Sequence, residues 1–126
     1  MQRFFWICLA GAAGTGTRYL IALWAAQRFG SSFPYGTLIV NVTGCFLIAL
    51  IMPVAIAASW SPTLRSVLTI GYIGGLTTYS SFNYETTRLF QDGVPDVAAL
   101  NAFVTLFGCF AAGWLGLIAS RQLLGQ

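Results

Sequence analysis

The sequence contains no histidine and no lysine, and only 7% of its 126 residues are charged. Without histidine, the chain has neither an imidazole base nor a histidine metal ligand. Soluble domains carry roughly 25% charged residues. Hydrophobic residues make up 57% of this chain, and its mean hydropathy is +0.77. Because a chain of this length cannot hide so much apolar surface in a water-soluble core, the composition predicts a membrane protein.

Several function classes are poorly supported by what else is missing. The formal net charge of +3 comes from six arginines and three acids, so no basic patch exists to hold nucleic-acid phosphates. No Ser/His/Asp set, acid pair or phosphate-binding loop is present, which argues against an enzyme. The three cysteines (Cys8, Cys45 and Cys109) lie in different apolar segments without a CxxC pair. We therefore expect packing residues rather than disulfides or a zinc site.

Four apolar segments are long enough to cross a bilayer, which takes about 20 residues per helix. They cover residues 4–26, 35–58, 64–90 and 97–124. The start of the chain has features of a signal peptide. Apolar character continues past Arg18, however, so we interpret it as the first transmembrane helix. The sequence predicts an all-α membrane protein with four transmembrane helices in one domain, residues 1–126.

The third segment is interrupted by the motif GGLTTYSSF at residues 74–82. Adjacent glycines weaken a helix by about 1 kcal/mol each relative to alanine. The four hydroxyl side chains of this motif need hydrogen-bond partners at membrane depth. We predict that the third helix is broken from Gly74 to Thr78 at a functional centre. The alternative is an unbroken helix crossing eased by glycine, with the hydroxyls bonded to their own backbone carbonyls.

The distribution of the arginines barely favours one orientation in the membrane over the other. One side holds Arg3, Arg65 and Arg121, and the other holds Arg28 and Arg88. Because the positive-inside rule depends on such differences, a bias of one charge predicts dual topology. Two copies assembled antiparallel are the economical architecture.

Two polar residues stand deep in the first two segments, where such residues are informative. Arg18 either extends its guanidinium to the headgroups or lines an aqueous vestibule that attracts anions. Asn41 either hydrogen-bonds between helices or donates to a permeating anion. The sequence leaves both pairs of readings open.

The third and fourth segments carry further candidate residues. Asn101, Thr105 and Cys109 follow one another at spacings of four and share a helix face, as a packing seam or as a wet track. Tyr79 and Phe82 are three residues apart and point the same way if the helix resumes there. Their positive ring edges could face a dehydrated anion.

Together these motifs resemble the Fluc fluoride channels, also called the CrcB family. GGLTTYSSFNYE at residues 74–85 is similar to the family signature GGxTTFSTFxxE, and residues 36–41 (GTLIVN) are similar to its GTLxxN segment. Residues 101–110 resemble its polar-striped fourth helix, and Arg18 falls where the family has an arginine in its first helix.

The resemblance implies an antiparallel homodimer in the inner (plasma) membrane of a bacterium, with two pathways that export cytoplasmic fluoride passively. It implies a structural sodium ion at the dimer centre, bound by backbone carbonyls that match Gly74 and Thr77. The fluoride pathway implied by the resemblance consists of Arg18, Asn41, Tyr79, Ser80, Ser81, Phe82, Asn101 and Thr105.

The chain departs from the family pattern at three positions. Tyr79 replaces a phenylalanine, Ser81 a threonine, and Cys109 a serine that is usual there. The tyrosine keeps a ring edge but adds a phenol, which raises the alternative of a non-conducting partner in a heterodimer. A further alternative is a small dual-topology, proton-coupled multidrug exporter. Such a transporter needs a deep carboxylate, and the first segment has none.

Overall fold

The computed structural model describes residues 1–125, and all regular elements within them are helical. The order is α1 (Gln2–Phe29), α2 (Tyr35–Ala57), α3 (Pro62–Ser66), a π-helix (Val67–Ile73), α4 (Gly74–Leu76), α5 (Tyr79–Gln91) and α6 (Pro95–Leu123). The elements between residues 62 and 91 together form the third predicted segment, called the third span below. The prediction of an all-α chain with four helical segments is confirmed, and the dimer remains a prediction.

The boundaries follow from the local turn chemistry. Gly30 ends α1 with a positive φ of 81°, a conformation that glycine adopts without steric cost. The hydroxyl of Ser61 accepts a hydrogen bond from the backbone N–H of Leu64 at 3.2 Å, directly before Pro62 opens α3. A serine cap followed by proline at the first helical position is a favoured helix start. Pro95 likewise occupies the first position of α6, although the residue before it, Val94, makes no side-chain cap hydrogen bond.

Two of the helices, α2 and α6, are long and apolar enough to cross a membrane, and most of their residues are not buried within the chain. In the described part of the chain no other helix meets both conditions. The centre of α1 is rich in glycine and threonine and includes Arg18, and the third span is divided by its break. Large side chains of α6 face outward, for example Phe110 and Trp114. The surface is therefore apolar where lipid or another chain would cover it.

The α1 helix packs against the third span through glycine. A Cβ atom on Gly14 would overlap the carbonyl oxygen of Tyr72, and a Cβ on Gly75 would overlap the carbonyl oxygen of Gly11. These helices therefore touch backbone to backbone, as small residues permit in membrane proteins. At the start of both helices the Arg3 guanidinium donates to the Ser66 hydroxyl. The seam between α2 and α6 is similarly close at Gly116, which faces the Phe46 carbonyl oxygen.

The third span is broken, but not by its glycines. Gly74 has helical angles (φ −63°, ψ −36°), and α4 continues through Gly75 to Leu76. The extended residues are Thr77 (φ −85°, ψ 156°) and Thr78 (φ −155°, ψ 112°). The predicted break at residues 74–78 therefore narrows to its last two residues. The role expected for the glycines is corrected: Gly75 allows close helix packing and does not unwind the chain.

Candidate functional site

The break is held open by the side chain of Asn41, which reaches it from α2. The backbone N–H of Thr78 donates to Oδ1 of Asn41 at 2.7 Å, and Nδ2 of Asn41 donates to the carbonyl oxygen of Thr78 at 3.0 Å. Both residues are buried. The amide thus replaces two backbone hydrogen bonds that a continuous helix would have made. Asn41 makes the interhelical contact considered above, and its second Nδ2 proton remains available to another acceptor.

Two backbone carbonyl groups at the break lose the N–H groups that would bind them in a continuous helix. In a continuous α-helix the Gly74 carbonyl would accept from the N–H of Thr78, but that N–H is bound to Asn41. The Thr77 carbonyl would accept from the N–H of Ser81, but this group donates to the Thr78 hydroxyl at 3.2 Å. The interrupted backbone therefore presents the carbonyl oxygens of Gly74 and Thr77, the two expected to bind sodium.

An open groove of about 790 Å³ runs beside the break, between α5 and the α2–α6 pair. Its lining brings together four residues that the sequence nominated for the fluoride pathway: Asn41, Tyr79, Phe82 and Thr105. Thr77 and Cys109 also line it. The groove wall is largely apolar, with a few polar groups from three helices. Such a cleft suits a small solute that has shed much of its water.

The two nominated aromatic residues form a pair at the start of α5. The ring centroids of Tyr79 and Phe82 are 5.6 Å apart and their planes are inclined at 58°. The shared direction predicted from their spacing is confirmed. Phe82 is half-buried, whereas Tyr79 is 79% exposed. The phenol ring of Tyr79 is therefore accessible to any molecule that covers the open side of the groove.

A series of hydrogen bonds connects α6 to α5 beneath the groove. The Thr105 hydroxyl donates to Oδ1 of Asn101 at 3.4 Å, and Nδ2 of Asn101 donates to the Thr86 hydroxyl at 2.8 Å. Thr86 in turn donates to the carbonyl oxygen of Phe82 at 2.7 Å. Asn101 and Thr105 are buried, so this face of α6 is a packing seam. Thr105 also lines the groove, whereas Asn101 does not. Sequence reasoning missed Thr86, because no local signal marks its contact with α6.

The remaining nominated residues lie at different distances from the groove. Ser81 is half-buried and accepts a hydrogen bond from the Thr78 hydroxyl at 3.1 Å. Ser80 is exposed, with its hydroxyl 3.2 Å from that of Thr78. Arg18 is half-buried on α1 and does not line the groove, so its part in a pathway remains a prediction. Thr78, the N-cap of α5, was not nominated, although a threonine before a helix is a recognisable cap signal.

Glu85 lies outside the groove, in a second cavity of about 420 Å³ at one end of the bundle. The Thr37 hydroxyl donates to Oε1 of Glu85 at 2.8 Å. The other carboxyl oxygen, Oε2, is buried without a hydrogen-bond partner within the described chain. Arg88 lines this cavity too, but its ion pair, at 3.5 Å, is with Asp92. A carboxylate next to the groove would repel an anion, and this one is set apart from it.

The arrangement favours the passage or binding of a small anion over side-chain metal chemistry. Between residues 1 and 125 there is no cluster of three His, Cys, Asp or Glu side chains that could hold a metal ion. The groove offers amides, hydroxyls and aromatic ring edges, none of which carries a full charge. Neutral donors in a low-dielectric site attract an anion without binding it as tightly as an arginine would.

Comparison with known proteins identifies the family. The family described as "CrcB-like protein, Camphor Resistance (CrcB)" matches residues 5–117. A protein of Sorangium cellulosum named "Fluoride-specific ion channel FluC" is 50% identical over 125 residues, covering 98% of both chains. Proteins with this name from Citrifermentans bemidjiense and Geobacter metallireducens are 45% and 49% identical, covering 98% and 93% of this chain and 100% and 95% of their own.

These matches confirm the resemblance and the prediction that the chain is not an enzyme. They also agree with the apolar helices in indicating a membrane protein. The relatives match over nearly their whole length, so the groove and the broken third span lie within the shared region. The chain belongs to the CrcB (FluC) family of ion channels.

Proposed function

We propose that this chain forms a fluoride-selective channel through which cytoplasmic fluoride leaves the cell down its gradient. The observation that carries the proposal is the groove, where the Asn41 amide, the Thr105 hydroxyl and the Tyr79–Phe82 ring pair meet. Fluoride enters cells as the weak acid HF and is trapped as the anion at neutral pH. An anion pathway without an energy source is therefore sufficient to remove it.

Selectivity follows from the chemistry of the groove wall. A small anion that enters must give up part of its hydration shell, and hydrogen-bond donors and positive ring edges replace it. Asn41 has one Nδ2 proton bound to Thr78 and a second that can be donated. Chloride is larger, and we expect the pathway to exclude it once a second copy covers the open side of the groove, whose α5 and α6 walls are joined by the bond from Asn101 to Thr86.

We propose that the working unit is an antiparallel homodimer with two fluoride pathways, each closed on its open side by the other copy. Tyr79, which lines the groove, is 79% exposed in the single chain. The near balance of arginines at the two ends favours insertion in both directions. We place the dimer in the inner (plasma) membrane of a bacterium, spanning it several times. A heterodimer with a homologous chain is the alternative assembly.

The carbonyl oxygens freed at the break fit a structural sodium ion at the centre of such a dimer. Oxygen ligands suit a hard cation, and Asn41 and the Thr78 cap occupy the N–H groups that would otherwise bind the Gly74 and Thr77 carbonyls. A bound sodium ion would supply positive charge between the two copies. The chain's own contribution is to hold the backbone extended at residues 77 and 78.

The direct test is fluoride efflux from liposomes that contain only this purified chain. We expect fluoride to leave on its own when a potassium ionophore balances the charge, and chloride to be retained under the same conditions. If the liposomes instead transported a drug in response to a proton gradient and released no fluoride, the result would support the small multidrug exporter. Absence of any efflux from a folded dimer would contradict a homodimeric channel.

The Tyr79→Phe variant tests what the phenol contributes. The ring edge is kept and the hydroxyl, which could hold fluoride by a hydrogen bond or narrow its path, is removed. We expect fluoride flux to be preserved or raised in the liposome assay. Complete loss of flux from a variant that folds normally would show that the phenol is required.

A further inference from the structure

The charged side chains are divided unevenly between the two ends of the helical bundle. The three acidic residues of the chain lie at the end where α5 stops and α6 starts: Glu85, Asp92 and Asp96. At the opposite end, α1 and α3 begin and α6 finishes, and the charged side chains there are those of Arg3, Arg65 and Arg121. Between residues 1 and 125, this end therefore has three positive side chains and no acidic side chain to balance them.

Two of these arginines are neighbours of Ser66, where α1 packs against the third span. The Arg3 guanidinium donates to the Ser66 hydroxyl, which is buried and in turn donates to the carbonyl oxygen of Pro62 at 2.9 Å. Arg65 precedes Ser66 in the chain and is half-buried, and its Nε has no hydrogen-bond acceptor within the described residues. A buried cationic donor without an acceptor is unfavourable, so an acceptor supplied from outside the chain would be stabilised here.

The surrounding side chains indicate that the two arginines lie at the depth of the lipid headgroups. Trp6 is exposed one turn beyond Arg3, and Trp60 lies two positions before α3. Tryptophan is enriched at the boundary between lipid and water. Phe4 and Leu64, directly next to Arg3 and Arg65 in the sequence, are also exposed. Positive charge and apolar surface for acyl chains are thus adjacent at this end.

We propose that Arg3 and Arg65 bind the phosphate of an anionic phospholipid, such as phosphatidylglycerol, whose acyl chains lie against the exposed apolar side chains of α1 and α3. Guanidinium groups hold phosphate oxygens through paired N–H donors. A zwitterionic lipid fits less well, because its ammonium group would approach arginines at an end without a side-chain carboxylate in the described chain. No α1 residue lines the groove, so the lipid does not compete for the surface assigned to the second copy.

The test is lipid binding by the purified full-length protein in detergent, measured by native mass spectrometry. Phosphatidylglycerol and phosphatidylcholine of the same chain length are added separately, and we expect tighter binding of phosphatidylglycerol. Each arginine near a membrane surface adds roughly a fivefold preference for anionic lipid, so Arg3→Gln together with Arg65→Gln should weaken phosphatidylglycerol binding about 25-fold. Equal binding of the two lipids by the native protein would refute an anionic site.

Arg28→Gln is the matched control, because it removes the same charge from an exposed position at the other end of α1. We expect it to leave phosphatidylglycerol binding unchanged, and a loss as large as that of the double variant would refute the location. Arg3→Lys with Arg65→Lys keeps both charges and should retain part of the preference. This variant also serves if the glutamine variant fails to fold, and its binding the two lipids equally would refute attraction by charge.

Glycerophosphoglycerol, which is the same headgroup without acyl chains, distinguishes a lipid site from a site for a soluble phosphate diester. We expect an excess of it to displace little bound phosphatidylglycerol, because the apolar contacts are missing. Displacement at a concentration equal to that of the lipid would refute the lipid as the ligand. Because no readout depends on fluoride transport, failure here leaves the proposed function intact.

Discussion

Replacing Asn41 with alanine is expected to lower the free energy of unfolding sharply and to abolish fluoride flux. The substitution removes the acceptor for the Thr78 N–H and the donor to the Thr78 carbonyl, both in a buried place. Each buried backbone group left without a partner costs about 1–3 kcal/mol. Thermal unfolding in detergent and efflux from liposomes measure the two effects.

The same variant reports on the sodium proposal. With Asn41 absent, no side chain holds the Thr78 backbone extended, so the Gly74 and Thr77 carbonyls are no longer fixed in place to bind sodium. We expect the native chain to unfold at a higher temperature in sodium than in choline, and this difference to shrink in the variant. Thr43→Ala is the matched control, since Thr43 is an exposed polar residue two positions further along α2. An unchanged unfolding temperature for Asn41→Ala would disprove its role in holding the break.

Alanine at Gly14 is the second substitution with a large expected effect. Its Cβ would overlap the Tyr72 carbonyl oxygen and lie 2.9 Å from the backbone nitrogen of Leu76. Neither is the flexible end of a side chain, so α1 and the third span would have to separate. Overpacking costs about 1–3 kcal/mol and occasionally more, and a clash with rigid backbone lies at the upper end of that range. We expect a large fall in thermal stability and in the yield of folded protein, measured by thermal unfolding in detergent and by size-exclusion chromatography.

Gly16 provides the control for this substitution within the same helix. A Cβ on Gly16 would meet no atom within 4 Å, and alanine is favoured over glycine in a helix by about 1 kcal/mol. Gly16→Ala should therefore keep or slightly raise the unfolding temperature. If the two variants proved equally stable, the close backbone contact at Gly14 would be wrong.

The sequence was sufficient to predict the helical layout because the four segments are bounded by proline or glycine, and two of them, α2 and α6, are also long and strongly apolar. It located the break to within a few residues but assigned the wrong cause. Paired glycines are helix breakers on propensity alone, and in this fold a neighbouring helix outweighs that propensity. The interruption falls instead where Asn41 competes for the Thr78 backbone. That competition depends on the approach of α2 and has no local signature.

In the candidate site, too, contacts within one helix were predictable from the sequence and contacts between helices were not. The pairing of Tyr79 with Phe82 follows from helical spacing and was predictable. The bond from Asn101 to Thr86 and the one from Thr37 to Glu85 join different helices, so periodicity within one segment does not reveal them. Likewise, Cys45 and Cys109 are distant in the sequence, and both line the groove only because α2 and α6 pack against each other.

The glycine seam between α1 and the third span also bears on how such a channel is regulated. Where two backbones touch, as at Gly14 and Gly75, no side chains lie between the helices. A change of side-chain rotamer therefore cannot move the two helices relative to each other there. The break beside it is thus anchored on one flank by main chain and on the other by an asparagine. In the proposed channel, we expect a pore wall built in this way to behave as a fixed aperture, with its throughput set by ion concentration and by the side chains along it rather than by a hinge.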